Sequence, residues 1–293
     1  GYYIRILPQM TNANAAATVA RMTVKLAPWI ALTRFDKPVG TWLVLWPAWW
    51  GALAAGTPDA MTMILLALGA LLMRSAGCVI NDMTDRDLDR HVARTATRPL
   101  AAGTLTLRQA MIGLLVLLIA AAAICWALNP KLFMLAVPVL VLIILYPRMK
   151  RITWWPQAFL GLTFNMGVWF GWFAMTDTFS LVPALLYLAA IAWTLGYDTI
   201  YAHQDIEDDL RIGIKSTAIH FGRWNRLAIG ACYLLTASIF AATGVITSAH
   251  SLFWPAWLAA ICLLFTQTVT FVPRDAGKAL FLFKINPWVG FFF

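Results

Sequence analysis

Acidic side chains are scarce in this 293-residue chain, and most of them are gathered at two places. Asp82, Asp85, Asp87 and Asp89 form one group. Asp198, Asp205, Glu207, Asp208 and Asp209 form the other, so nine of the 13 acids occupy two short segments. Each segment contains D-x-x-x-D, as Asp85/Asp89 and Asp205/Asp209. On a helix, Asp82, Asp85 and Asp89 fall on one face. The spacing of Asp198, Asp205 and Asp209 predicts a second such face, with Tyr201 beside it. Two carboxylate faces opposed across a cavity make an oxygen-rich cage. A hard divalent cation such as Mg2+ suits that cage, because it takes one or two carboxylates and keeps water and phosphate oxygens for the rest of its shell. A solvated acidic helix end is the plainer reading. It predicts acids scattered among Lys and Glu, whereas these faces are rich in Asp.

Basic residues follow both groups: Arg94 and Arg98 the first, Arg211 and Lys215 the second. Carboxylates holding a divalent metal, with Arg and Lys nearby, are the parts of a pyrophosphate clamp. Metal bridges the oxygens and the cations take the remaining charge. Taken alone, the same cations read as topology signals.

The elements that must position these groups are apolar. Hydrophobic residues are 61% of the chain and charged residues 12%, about half the soluble norm of roughly 25%, with a mean hydropathy of +0.74. Water cannot accommodate that much apolar surface, which argues against a disordered chain, a nucleic-acid module and a cytosolic enzyme. A spanning helix needs about 20 residues. Apolar runs near 38–56, 60–80, 107–128, 131–147, 156–176, 180–197, 226–248 and 251–272, with a ninth from about 279, predict an all-α bundle of about nine transmembrane helices. The two D-x-x-x-D pairs are offset by four of these runs. The layout therefore reads as two four-helix pseudo-repeats plus a final helix. That last run reaches Phe293 without a polar tail, so its helix is expected to be incomplete. Residues 1–33 are expected to form an amphipathic or flexible segment ahead of a transmembrane domain over 34–293.

Charge placement orients the bundle. The short segments 57–59, 129–131, 176–179 and 248–250 hold Lys131 as their one basic residue, out of 22 Lys+Arg. The others accompany the N-terminus, the opposite loops and the adjoining helix ends. The N-terminus and both acidic groups are thus predicted to face the cytoplasm at a bacterial inner membrane, or the matrix at a mitochondrial inner membrane. Topology and anionic lipid explain the net charge of +9 without nucleic acid. Cys78, Cys125, Cys232 and Cys262 lie singly in apolar runs and read as core residues. The four histidines have no zinc spacing. His203, between Tyr201 and Asp205, reads as a neutral hydrogen-bonding residue.

Two stretches carry a family resemblance. Asn81-Asp82-Met-Thr-Asp85-Arg-Asp87-Leu-Asp89, followed by Arg94-Thr-Ala-Thr-Arg98-Pro99-Leu100, resembles the first Asp-rich motif of the UbiA superfamily of intramembrane prenyltransferases. Tyr197-Asp198-Thr-Ile-Tyr201-Ala-His-Gln-Asp205-Ile-Glu-Asp208-Asp209, running on to Gly213-Ile-Lys215-Ser216-Thr217, is similar to the second, in the form found in members that use 4-hydroxybenzoate for ubiquinone synthesis. Arg34-Phe-Asp36-Lys37-Pro38 before the first span and Tyr146-Pro147-Arg-Met-Lys150-Arg151 closing the fourth fit the same group. The match covers about 34–290.

The resemblance implies a nine-helix bundle open sideways to lipid. It implies transfer of a prenyl group from polyprenyl diphosphate to 4-hydroxybenzoate, at the ring carbon meta to the carboxylate, with diphosphate released and two Mg2+ bound beside it. Asn81, Asp82, Asp85, Asp89, Asp205 and Asp209 are the implied metal ligands. Asn81, Arg94, Arg98, Lys215 and Asp198 are assigned to the diphosphate side. Tyr146 and Tyr201 are candidates to face the allylic cation. Arg34, Lys37, Lys150 and Arg151 are candidates for the acceptor carboxylate. No protein partner is implied. Naphthoate, homogentisate and haem B are the alternative acceptors within the superfamily. A membrane carrier is the alternative from another class, since repeats and intramembrane carboxylates also occur there.

Overall fold

The computed structural model describes residues 26–293, and among these there is no strand. Residues 26–33 are helical and bury Leu32 completely. The rest of the expected N-terminal segment, 1–25, lies outside the described residues.

Helix α1 (Val39–Ala55) begins after Pro38, and α2 (Ala60–Asp89) begins where the Asp59 side chain accepts from the Thr62 amide. No Gly-Pro pair or turn signal interrupts the polar end of α2, so it runs 30 residues, through the whole first acidic group. Thr106 and Gln109 form a capping box that starts α3 (Leu107–Leu128). A turn at Asn129 leads to α4 (Phe133–Ile152). The predicted fifth run divides at Asn165 into α5 (Pro156–Phe164) and α6 (Gly167–Thr176). Ser180 caps α7 (Leu181–Ala202). Beyond it come the short α8 (Ile206–Ile212) and α9 (Thr217–Phe221), then α10 (Asn225–Ile246) and α11 (Phe253–Thr270). The chain closes with α12 (Ala276–Phe283) and α13 (Asn286–Phe292).

Among the described residues, seven stretches are long and apolar enough to cross a membrane: 60–89, 107–128, 130–152, 156–176, 181–202, 217–246 and 253–270. The expected count of nine is not reached on those criteria. Helix α1 has 17 residues, and the final run is split into helices of eight and seven.

Small residues let the helices approach closely. Gly51 of α1 faces the Val168 carbonyl on α6, and Gly171 of α6 faces the Ala48 carbonyl on α1, so neither has space for a Cβ. On the other flank α7 packs on α10, with Gly196 against the Tyr233 ring. Trp50, Trp193, Tyr197 and Phe240 anchor the main core. Polar atoms inside it find partners within the bundle, as lipid favours: Trp193 Nε1 donates to Asn286 Oδ1 at 2.9 Å and Tyr233 Oη to Gln267 Oε1 at 2.9 Å, while the buried Trp46 Nε1 has none among the described residues. Large apolar side chains such as Val116, Ile119, Trp126, Leu234 and Phe265 are exposed on the outside, as a lipid-facing surface demands.

Candidate active site

Because α2 continues to Asp89, it carries Asp82, Asp85 and Asp89 on one face, and they are 1%, 1% and 6% exposed. A buried carboxylate is costly unless a cation neutralises it. Each one here has such a partner. Arg34 sits in a left-handed turn (φ 59°) after the first described helix, and its Nη2 donates to both oxygens of Asp82 at 2.8 Å. Arg98 lies 3.1 Å from Asp82 and 2.8 Å from Asp89. The last turn of α4 brings Lys150 to 2.5 Å and Arg151 to 3.3 Å from Asp85.

The second acidic group is not one helical face. Helix α7 stops at Ala202, and a turn at 203–205 separates it from α8. Asp198 is therefore on α7, Asp205 in the turn and Asp209 on α8. Competing turn bonds explain the break: the amides of His203, Gln204 and Asp205 bond back to Ile200, Tyr201 and Ala202. Arg94 joins the two groups. Its guanidinium pairs with both Asp205 oxygens, its Nη1 donates to Tyr201 Oη at 3.3 Å, and it lies 5.7 Å from the centre of the Tyr201 ring. Burial, and then the neighbouring Asp205 charge, push the Asp209 carboxyl up to about 7.

Between the groups lies a cavity of about 1180 Å³. Of the residues singled out in the sequence, Arg34, Lys37, Asn81, Asp82, Arg94, Arg98, Tyr146, Asp198 and Tyr201 line it. Asp85, Asp89, Lys150, Arg151, Asp205, Asp209 and Lys215 stand behind or beside that wall. The acceptor and diphosphate candidates divide accordingly. Arg34 and Arg151 do not meet at one pocket: Arg34 lines the cavity on Asp82, while Arg151 reaches Asp85. Lys215 is not among the cavity cations, since its ammonium donates to the Ile152 carbonyl at 3.2 Å and lies 5.7 Å from the centre of the Trp154 ring.

One lining residue lacked any motif. Arg74 lies eight residues before Asp82 on α2, about 12 Å deeper at 1.5 Å per residue. Its Nη1 is on the Cys78 sulfur and its buried Nε has no partner. No carboxylate lies within ion-pairing distance of it among the described residues. Beyond Arg74 the cavity is apolar. It continues between α2 (Gly69, Ala70), α3 (Ala121, Ala122) and α4 (Ala136, Val137) as far as Leu65.

The donor chemistry fits a hard cation. The Asn81 amide and the Asp82 and Asp198 carboxylates face one cavity, and Asp198 has no hydrogen-bond or ion-pair partner among the described residues. Asp85 Oδ2 lies close to Lys150 yet accepts no hydrogen bond of proper geometry. Among the described residues no cluster of three or more Asp, Glu, His or Cys side chains is close enough to hold a metal unaided. Water and substrate oxygens would have to complete the shell, which is the habit of Mg2+.

Comparison with known proteins agrees with this layout. A mitochondrial 4-hydroxybenzoate polyprenyltransferase from Caenorhabditis elegans is 43% identical over 292 residues, covering 97% of this chain and 81% of that protein. A 4-hydroxybenzoate octaprenyltransferase from Nitrosomonas eutropha is 41% identical, covering 91% of this chain and 94% of that one. Among solved structures, a UbiA homolog from Aeropyrum pernix K1 superposes with a TM-score of 0.77 at 26% identity, covering 86% of this chain and 94% of that one. A UbiA homolog from Archaeoglobus fulgidus bound to GPP and Mg2+ shares the fold at a TM-score of 0.63 and 17% identity, over 90% and 98% of the two chains. The description "UbiA prenyltransferase family" matches residues 44–290, from within α1 to α13. That span takes in both acidic groups and most of the residues around the cavity between them, and the chain belongs to this family of prenyltransferases.

Proposed function

We propose that this chain transfers a polyprenyl group from polyprenyl diphosphate to the ring carbon of 4-hydroxybenzoate meta to the carboxylate, in ubiquinone biosynthesis. One observation carries the reading: a single cavity joins a mouth of Asp, Arg and Lys to a long apolar slot, so it can take a charged head and an isoprenoid tail together.

The allylic C–O bond breaks and its electron pair leaves with diphosphate. The ring carbon supplies the pair for the new C–C bond and then releases its proton. Negative charge grows on the leaving group, so preorganised positive charge lowers the barrier. Mg2+, two ions in this reading, would supply part of that charge when bound with the diphosphate, as in the Archaeoglobus fulgidus homolog that carries GPP and Mg2+. Asn81, Asp82, Asp85 and Asp89 would hold it on the α2 side, with Asp198, Asp205 and Asp209 opposite. Arg94 and Arg98 lie at the mouth and would take phosphate oxygens. Tyr146 and Tyr201 present aromatic faces to the cavity, where they would stabilise and shield the incipient allylic cation.

The acceptor carboxylate needs a cation that is not already held by an acid. Arg34, Lys150 and Arg151 are held by Asp82 and Asp85. Arg74 is not. It lies below the charged mouth, in the low-dielectric part of the cavity where one charge pair counts most. We assign the carboxylate to Arg74. The prenyl tail then follows the slot between α2, α3 and α4. The basic loops support a mouth on the cytoplasmic side of a bacterial inner membrane, or on the matrix side of a mitochondrial one.

The test is direct. Protein in lipid nanodiscs is given Mg2+, labelled polyprenyl diphosphate and 4-hydroxybenzoate, and product mass and diphosphate release are measured. Naphthoate, homogentisate and haem B run in parallel. Failure to release diphosphate with any acceptor overturns the reaction. Faster turnover with one of the others overturns the acceptor.

A further inference from the structure

The structure assigns His203 as a positioning residue for Asp205, acting by tying the second acidic turn to two segments distant in the chain. The inference rests on the function proposed above.

His203 is the first residue after α7 and is 2% exposed. Its Nδ1 accepts the backbone N–H of Arg274 at 3.2 Å. A ring nitrogen that accepts is unprotonated, so in the neutral ring the proton sits on Nε2. Nε2 has no hydrogen-bond partner of good geometry, and neither does the Asn225 side-chain oxygen. Asn225 lies close to the ring. Asn225 is fixed in that pose because its Nδ2 donates to Ala218 at 2.8 Å and Gly222 at 2.7 Å. The ring also meets Phe271 edge-on, with centroids 4.9 Å apart.

One imidazole thus touches the α11–α12 connection through Arg274 and Phe271, and the start of α10 through Asn225. That connection is itself held, since Arg226 donates to the Phe271 carbonyl at 2.7 Å. Asp205 is two residues away in the same turn, and it is the carboxylate that Arg94 uses to join the two acidic groups. The turn has few anchors besides: its amides bond only within 200–205, and Asp205 borders a polar cavity of about 250 Å³ shared with Arg274 and Asp208. Without the His203 tie, the backbone carrying Asp205 loses its link to the α11–α12 connection and is left with the Arg94 side-chain pair to hold it. A shift on the order of 1 Å in a catalytic constellation can cost up to about 100-fold.

Two variants separate positioning from folding. His203→Phe keeps the shape against Phe271 and removes the polar link to Arg274. His203→Asn keeps an acceptor near the Nδ1 position. For His203→Phe we expect the KM for polyprenyl diphosphate and the Mg2+ half-saturation to rise about tenfold or more, with the 4-hydroxybenzoate KM within about twofold of the parent. His203→Asn should recover most of that loss. Unchanged kinetics in His203→Phe, or an equal rise in both substrate KM values with no recovery in Asn, overturns the assignment. A second measurement needs no variant kinetics. Nitrogen-15 NMR of the parent protein, assigned among its four histidines by single replacements, should show His203 protonated at Nε2 with Nδ1 accepting. An Nδ1-protonated ring removes the Arg274 link and the proposal with it. Absence of any prenyl transfer by the parent protein refutes the proposed function instead, and the NMR result still stands or falls separately.

Discussion

Replacing Arg74 by Met tests the acceptor site with little disturbance to the fold. Methionine has a similar reach and no charge. In most buried ion pairs, removing the cation strands a carboxylate and costs several kcal/mol. Arg74 has no carboxylate partner, its Nε is unpaired, and its one contact of note is the Cys78 sulfur. Thermal stability of the variant should therefore match or exceed the parent. Binding of the benzoate should not. A charge-assisted hydrogen bond contributes about 1.5–3 kcal/mol, and each 1.4 kcal/mol is tenfold, so the KM for 4-hydroxybenzoate should rise roughly 10- to 150-fold. The proposed diphosphate site begins at Asp82, about 12 Å away along α2, and uses other groups, so the donor KM should stay within about twofold. Gly40→Ala gives an independent check, because its Cβ would lie 2.6 Å from Arg74 Nε and force the guanidinium aside. It should raise the acceptor KM in the same direction by a smaller factor. Steady-state titration of each substrate in nanodiscs measures all of this. An acceptor KM unchanged in Arg74→Met, in protein that keeps its thermal midpoint, refutes the assignment and returns Lys37 to consideration.

Other expectations follow from the same geometry. Chelation should abolish turnover and Mg2+ restore it; Asp85→Ala and Asp205→Ala should each reduce kcat/KM by about 100-fold or more, since each removes a carboxylate proposed to hold the metal that stabilises the leaving group, and near-parent rates in either would break the clamp. Ala122→Trp fills the slot between α2, α3 and α4, so KM for long-chain donors should rise about tenfold or more while geranyl diphosphate is little affected, overpacking being a local cost; equal effects on both donors would place the tail elsewhere. Cysteines introduced at Asp59 and Asp177, which cap and pair on the side away from the acidic groups, should react with impermeant reagents only from the periplasmic or intermembrane side. Labelling from the other face reverses the topology.

The bundle was readable because lipid imposes a coarse rule: long apolar runs become helices, whatever packs against them. The first acidic face was readable for a related reason, as α2 meets neither Gly nor Pro between Cys78 and Asp89 and the spacing of its acids survives into the structure. The second was not. Asp198, Asp205 and Asp209 have helical spacing, but the chain between them turns at 203–205 with neither Gly nor Pro to announce it. What fixes that turn, through His203, lies about 70 residues further on at Arg274 and Phe271. Arg74 escaped for the opposite reason. It is a lone cation in an apolar run, easily read as a helix-end charge, although an ionisable residue inside a span is by default a functional candidate. Cation–carboxylate pairings such as Arg34–Asp82, 48 residues apart, leave no trace in local pattern.

Those pairings explain why the site is built from more charge than chemistry alone requires. Four carboxylates, Asp82, Asp85, Asp89 and Asp205, are matched to five cations, Arg34, Arg94, Arg98, Lys150 and Arg151. Without substrate, each acid is neutralised by a neighbour, which is what allows aspartates to sit nearly sealed in the end of a membrane bundle. A prenyl diphosphate with its metal brings both charges at once. The metal competes for the carboxylates and the phosphate oxygens compete for the arginines, so old pairs are exchanged for new ones of like strength. The net cost is then far below that of desolvating either charge alone. Metal without diphosphate would leave displaced arginines unpaired, and diphosphate without metal would face the aspartates. Each should therefore bind weakly alone and tightly together, and calorimetry of Mg2+ binding with and without a non-hydrolysable prenyl diphosphonate measures that coupling. Independent binding of the two would mean that the aspartate–arginine pairs stay closed, and that the diphosphate is held somewhere other than between Arg94 and Arg98.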